Sequence, residues 1–478
     1  VDTIMKLRLP MPRWLTAYGT RFMPFADAAS PELPMGRLLR LSLFQVVIGM
    51  VVALMVGTLN RVMIVELQVP TWWVALAVAI PMVFAPLRAL IGYRSDTHPS
   101  ALGLRRIPYL WTGTILLFGG LAMMPFALLL LSEAADPTLW AGQLGAGLAF
   151  VLIGAGLQVT QTAGIALAND LATEEKRPRV VALLYGMLLL GMIGSSLVFG
   201  WLLADFTPQR LVQVVQGAAV FVAVVNLVSM WKQEARQGKR GAREAGGFST
   251  SWRELMGVPR MRRFLWTVAL GSLAFSMQDI VLEPYGAEIL GLDVGATSGL
   301  TALGAGGSML AFVLSSRWLA SGWHACRLAA LGVLLGLPAF AMVIFAAPLA
   351  SVALFRTGVL LIGFGSGLFS VGMLVTAMSF SNARLSGLVL GAWGAVQATS
   401  AGVAMALGGA LRDAVSGLAL SGRLGEVLQT PVTGYSFVYH LEVYLLFVVL
   451  IALGPLLRSS RAERPQPMLK LGLAELPG

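Results

Sequence analysis

Residues 140–168, WAGQLGAGLAFVLIGAGLQVTQTAGIALA, run without a single Asp, Glu, Lys or Arg. A hydrocarbon core about 30 Å thick needs roughly 20 apolar residues of helix to cross it, and this run is longer. Its apolar residues do not alternate with polar ones, which excludes a membrane β-strand. What remains is a helix that closes its backbone hydrogen bonds internally. Eleven further runs of the same kind flank it, near residues 41–59, 73–93, 107–131, 180–204, 212–231, 264–284, 297–320, 324–346, 351–379, 387–411 and 437–457. The composition agrees: 57% hydrophobic residues, 12% charged residues and a mean hydropathy of +0.79 are far from those of a water-soluble domain. The fold class is therefore all-α and integral to a membrane, with twelve transmembrane helices.

Lys and Arg punctuate these runs unevenly. With the N-terminus placed inside, the outer loops hold only Arg61, Arg210, Arg412 and Arg423, and Arg88 and Arg356 lie within spans. The rest of the 34 cations fall on the inner side, the positive-inside pattern, so both termini are expected in the cytoplasm. The chain then divides into a cytoplasmic segment 1–40, a six-helix half 41–231, a basic linker 232–263, a second six-helix half 264–457 and a cytoplasmic tail 458–478. The first forty residues carry no short apolar core with a small-residue cleavage site, so the first span is expected to direct insertion itself. The Gly-containing basic linker suits the anionic inner leaflet. A formal charge of +11 is otherwise a nucleic-acid signal, but these cations form no continuous patch, so no nucleic acid is expected. The sole cysteine, Cys326, excludes an intramolecular disulfide and a Cys-rich metal centre.

The two halves share a trace of common ancestry. Leu152-Ile153-Gly154-Ala155-Gly156 in span four recurs as Leu361-Ile362-Gly363-Phe364-Gly365 in span ten, and Gly186 matches Gly391 at a similar offset. Two halves of the same orientation form a parallel repeat, as in major facilitator transporters. The loop after span two, with Gly92, Arg94, Asp96, Arg105 and Arg106, is similar to the facilitator signature of Gly, Asp and paired bases. Its second glycine, Gly103, comes later than in that pattern. With Asp170 and Arg177 after span four, these residues read either as a cytoplasmic conformational latch or as an ordinary basic loop.

Four segments carry a finer resemblance: Gly92 to Pro108, Gln161 to Ala168, Gln278-Asp279-Ile280-Val281-Leu282-Glu283-Pro284-Tyr285-Gly286, and Gly391 to Thr399. They resemble the bacteriochlorophyll delivery family of the major facilitator superfamily, light-harvesting assembly proteins of the LhaA and PucC type, with the LhaA side the nearer. The resemblance implies a major-facilitator-like fold in the bacterial inner, intracytoplasmic photosynthetic membrane. It also implies a chaperone-like role in building a light-harvesting complex, with LH1 the expected client. Implied partners are the light-harvesting α/β polypeptides, the bacteriochlorophyll biosynthetic machinery and membrane lipids. The implied cofactor is bacteriochlorophyll, bound or transferred, with no metal ion of the protein's own.

Polar residues inside the spans supply an independent reading. Ionisable groups at this depth are costly and are usually paired or functional. Asp279 and Glu283, four residues apart, share one helix face, and Arg61 and Arg356 are the cations expected to pair with them. Gln158, Gln161, Gln278 and Gln397 serve either as interhelical hydrogen-bonding groups or as oxygen ligands to the pigment magnesium. His98, His324 and His440 all fall near span ends and are poor candidates for a midplane ligand. No metal-binding cluster, activated nucleophile or nucleotide loop is present in the sequence, so no enzyme is expected. The alternative to an assembly factor is a secondary transporter of a small metabolite, with the buried acids coupling it to protons.

Overall fold

The computed structural model describes residues 33–83, 85, 104, 106–132, 139–173, 176–234, 253, 255–257, 260–380 and 386–460. Among the described residues, twelve apolar helices form the bundle: α1 Met35–Glu66, α2 Thr71–Val83, α3 Ile107–Ser132, α4 Leu139–Leu171, α5 Arg177–Leu202, α6 Pro208–Met230, α7 Met261–Glu288, α8 Val294–Ala320, α9 Ala325–Ala346, α10 Val352–Ser379, α11 Ser386–Leu420 and α12 Val432–Ser460. No strand occurs among the described residues. Eleven of these helices are long and apolar enough to span a bilayer, and the described part of α2 is apolar but shorter. Each coincides with one of the twelve apolar runs. The largest differences are at α11, which continues to Leu420, and at α1, which runs past the expected bounds at both ends, from Met35 to Glu66. Hydropathy stops the eleventh run at Arg412 and Asp413, but these two are bonded to each other and to neighbouring helices, so the helix passes through them. The tails and most of the 232–263 linker lie outside the described residues.

Packing repeats between the halves. Within the first, α3 lies on α4 and α6, α1 on α5 and α6, and α2 on α4. Within the second, α9 lies on α10 and α12, α7 on α11 and α12, and α8 on α10. Adding six to each helix number turns one set into the other. The halves meet along α2 with α11 and α5 with α8, two seams that the same operation exchanges.

The recurring Gly-x-Gly is a packing device in this scheme. A methyl on Gly154 would collide with Pro81 of α2, and one on Gly363 with Gly304 of α8. One on Gly156 would lie 2.8 Å from the Gly113 carbonyl oxygen of α3, and one on Gly365 2.7 Å from that of Gly332 on α9. Each glycine therefore lets its helix approach the equivalent neighbour in its own half.

Candidate functional site

The bundle end that carries neither terminus holds a polar layer, and its construction begins in α1. This helix takes π-helical geometry over Ala53–Leu59 and Val62–Glu66. A π turn inserts a residue into the helical ladder and re-aims the side chains beside it, often at a functional site. Here it turns Gly57, Thr58, Asn60 and Arg61 toward the second half. Gly57 lets the Glu283 carboxylate and the Thr301 hydroxyl sit against the α1 backbone: an added methyl would lie 2.6 and 2.8 Å from them. Thr58 Oγ1 stands 3.4 Å from Ser298 Oγ. Asn60 Nδ2 donates to the Ile280 carbonyl at 2.9 Å. That carbonyl lacks its helical donor because residue 284 is a proline.

Arg61 is 4% exposed, and its ion pair is with Glu66 at 2.7 Å, on the same helix. A longer contact of 3.5 Å reaches the Leu292 carbonyl. The expected pairing with Asp279 or Glu283 is thus replaced by a local one, since the second π turn brings Glu66 within reach of the guanidinium. Glu283, 2% exposed, instead accepts a hydrogen bond from Thr301, and its second carboxylate oxygen has no partner. Arg356 is exposed on the first turn of α10 and joins no ion pair among the described residues, because the helix begins only at Val352.

Helix α7 is interrupted at Met277, between segments Met261–Ser276 and Gln278–Glu288. The first amide of a helical segment has no partner within it. Here the Gln278 N–H donates to Glu442 Oε1 of α12 at 2.7 Å. A carboxylate at this position also suits the positive end of the helix dipole. Glu442 is 0% exposed, and its other oxygen is unpartnered. The Gln278 side-chain amide donates to half-buried Asp279, and Gln278 Oε1 has no partner.

A second cluster lies toward the same end. Arg412 of α11 donates to Glu288 at 2.5 Å, Asp413 at 2.8 Å, the Tyr435 hydroxyl at 2.8 Å and Thr71 Oγ1 at 3.1 Å. Its guanidinium also stands 4.5 Å from the centre of the Tyr435 ring. Asp413 accepts from the Trp72 amide at 2.8 Å, which caps the start of α2. One arginine and its neighbour thus tie α2 of the first half to α7, α11 and α12 of the second.

The remaining expected residues are dispersed. Gln158 donates to the Pro81 carbonyl at 3.1 Å, joining α4 to α2. Gln161 and Gln397 are both half-buried, on α4 and α11, and Gln397 forms no described side-chain hydrogen bond. At the opposite end of the bundle Arg106 pairs with Asp170 at 2.9 Å. The Glu234 carboxylate accepts the Arg106 and Ile107 amides, each at 3.0 Å. These bonds join α3, α4 and the end of α6 within one half. Gly92, Arg94, Asp96, Arg105 and the Arg177 side chain lie outside the described residues. Sequence reasoning missed Glu442, although a lone acid inside an apolar run is itself the signal. It also placed Arg412 and Asp413 in a loop.

The PUCC protein family matches residues 58–461. The chain belongs to the PucC family. An uncharacterized protein in the puhA-bchM intergenic region of Rhodobacter capsulatus is 49% identical to it, over 97% of this chain and 99% of that one. Protein PucC of Rhodovulum sulfidophilum is 51% identical, over 84% and 90%. A bacterial homologue of the lysosomal transporter Spinster, solved inward-facing and unoccupied, superposes with a TM-score of 0.67 at 14% identity, covering 90% of this chain and 98% of that one. The fold of this PucC-family chain is thus that of the major facilitator transporters, and the expected all-α membrane architecture holds.

Proposed function

We propose that this protein is an assembly factor for a bacterial light-harvesting complex, with LH1 its client, working in the inner photosynthetic membrane with both termini cytoplasmic. The observation that carries this reading is PucC-family membership along nearly the whole chain, at about half identity to relatives of the same length. In this reading the protein is not an enzyme: it binds or delivers bacteriochlorophyll and holds antenna α/β polypeptides until they assemble. Of the candidate oxygen ligands, Gln397 suits a pigment magnesium best. Its side chain is half-buried and uncommitted on α11, whereas the Gln158 amide is committed to α2. The pigment when bound would supply the magnesium that such an oxygen ligates; the chain's part is to shield and orient it.

A second reading, a secondary transporter coupled to protons, draws on the buried carboxylates Glu283 and Glu442. Isolation of the full chain from a phototrophic host distinguishes the two. A red-absorbing pigment or small antenna polypeptides that co-purify support assembly. Substrate-dependent uptake into proteoliposomes with neither present supports transport. A tag in the 232–263 linker is expected to be accessible only from the cytoplasm, and labelling from the far side overturns the topology.

A further inference from the structure

We propose that Glu442, Gln278 and Asp279, gathered at the interruption of α7, bind one monovalent cation, a proton or a sodium ion. The site stands independently of pigment handling. Gln278 brings two carboxylates together, its backbone N–H donating to Glu442 of α12 and its side-chain amide to Asp279 of α7, and among the described residues neither acid forms an ion pair with Lys, Arg or His. Two negative charges within the apolar interior need a counter-charge. Three polar atoms of the cluster, all buried, also lack partners: Glu442 Oε2, Gln278 Oε1 and the Tyr439 hydroxyl. Gln278 is 8% exposed, and Glu442 and Tyr439 are 0% exposed. Buried polar atoms in native proteins nearly always have partners, so three orphans together mark the place of something that binds oxygen.

The chemistry narrows the ligand. All the available donors are oxygens, which suit a hard cation. No group of three or more His, Cys, Asp or Glu that could hold a metal ion occurs among the described residues, so the few oxygens gathered here fall short of the multi-carboxylate cage that a divalent ion takes. The titratable neighbours of Glu442 are Asp279 on α7 and Tyr439 on α12, and Tyr439 in turn meets Tyr285 edge to face. On α9 and α11, which also pack against α12, the titratable groups are Cys326 and Arg327 at one helix end and the bonded Arg412–Asp413 pair toward the other.

The test uses the full chain in lipid nanodiscs. Thermal unfolding is followed across a sodium chloride series, with N-methylglucamine chloride holding ionic strength constant, at acid and at alkaline pH. A ligand bound only by the folded state raises Tm by a steady increment per decade of concentration above its Kd. If sodium is the occupant, Tm rises with sodium at alkaline pH; if a proton is, Tm rises only as pH falls. In either case Glu442→Gln, which brings its own N–H donor in place of the cation, loses the dependence. Should that variant fail to fold, difference infrared spectra of the unmodified chain decide. Carboxylate bands that shift with sodium, or a protonated carboxyl band that fades with alkalinity, support the site. Spectra and Tm indifferent to both cations overturn it, as does a dependence that Glu442→Gln and Asp279→Asn both retain.

Discussion

Asn60 stands where Pro284 leaves the Ile280 carbonyl without its helical donor. Removing one partner of a buried hydrogen bond costs about 1–3 kcal/mol, because the other is left unsatisfied. Asn60→Leu is therefore expected to lower stability by about that amount, read by chemical unfolding in detergent. In a Pro284→Ala background the new amide can reach Ile280 itself, so the same substitution should cost less. An equal cost in both backgrounds would refute the pairing. Glu283 obeys similar logic, since its described hydrogen-bond partner is the Thr301 hydroxyl. Glu283→Gln keeps an acceptor for Thr301 and is expected to fold nearly as well as the parent. Glu283→Leu strands the hydroxyl and should lose about 1–3 kcal/mol. Equal losses would mean that the charge, not the hydrogen bond, is what matters. The acids on α7 were legible in the sequence, but their partners were not. Arg61 and Glu283 look like a pair because they lie at similar depth on the assigned topology, and only the π geometry of α1 turns the arginine toward Glu66.

Among the elements, α4 and α10 show how far a short motif carries. Leu152–Gly156 and Leu361–Gly365 were visible as a repeat, and each glycine meets the corresponding neighbour in its half. Gly363→Val would force α10 from α8, where overpacking costs about 1–3 kcal/mol or more. Gly391→Ala, which meets nothing within 4 Å, should be neutral. Melting temperatures of the two variants check the contrast, and similar values for both would remove the packing role. Helix α11 teaches the opposite lesson. Hydropathy ends it at Arg412, yet it continues to Leu420 because Glu288, Asp413, Thr71 and Tyr435 satisfy the arginine. A one-dimensional window sees the charge but not the partners that neutralise it.

For the molecule as a whole, the two halves are joined by a polar band at the end away from the termini: Thr58 to Ser298, Asn60 to Ile280, Arg412 to Thr71, and Asp413 to Trp72. Breaking a buried ion pair by removing one partner costs about 3–5 kcal/mol. Arg412 and its partners are only partly buried, so Arg412→Ala, which frees Glu288 and Asp413 together, is expected to cost less than that, about 1–3 kcal/mol, and to make this end more accessible. Alkylation of a cysteine introduced at Thr71 reads the second effect. Unchanged labelling would mean that the apolar seams alone hold the halves together.

Long apolar runs and the one-sided placement of Lys and Arg are properties of composition along the chain, so the sequence alone determined the number of helices, the division into halves and the expected topology. Which buried acid meets which partner depends on local departures from the ideal helix: π turns in α1, the interruption of α7 and the proline at 284. These re-aim side chains by fractions of a turn and bring together residues more than 150 positions apart, such as Gln278 and Glu442. No periodicity in the sequence encodes such a meeting, because it is settled by how twelve helices pack at once.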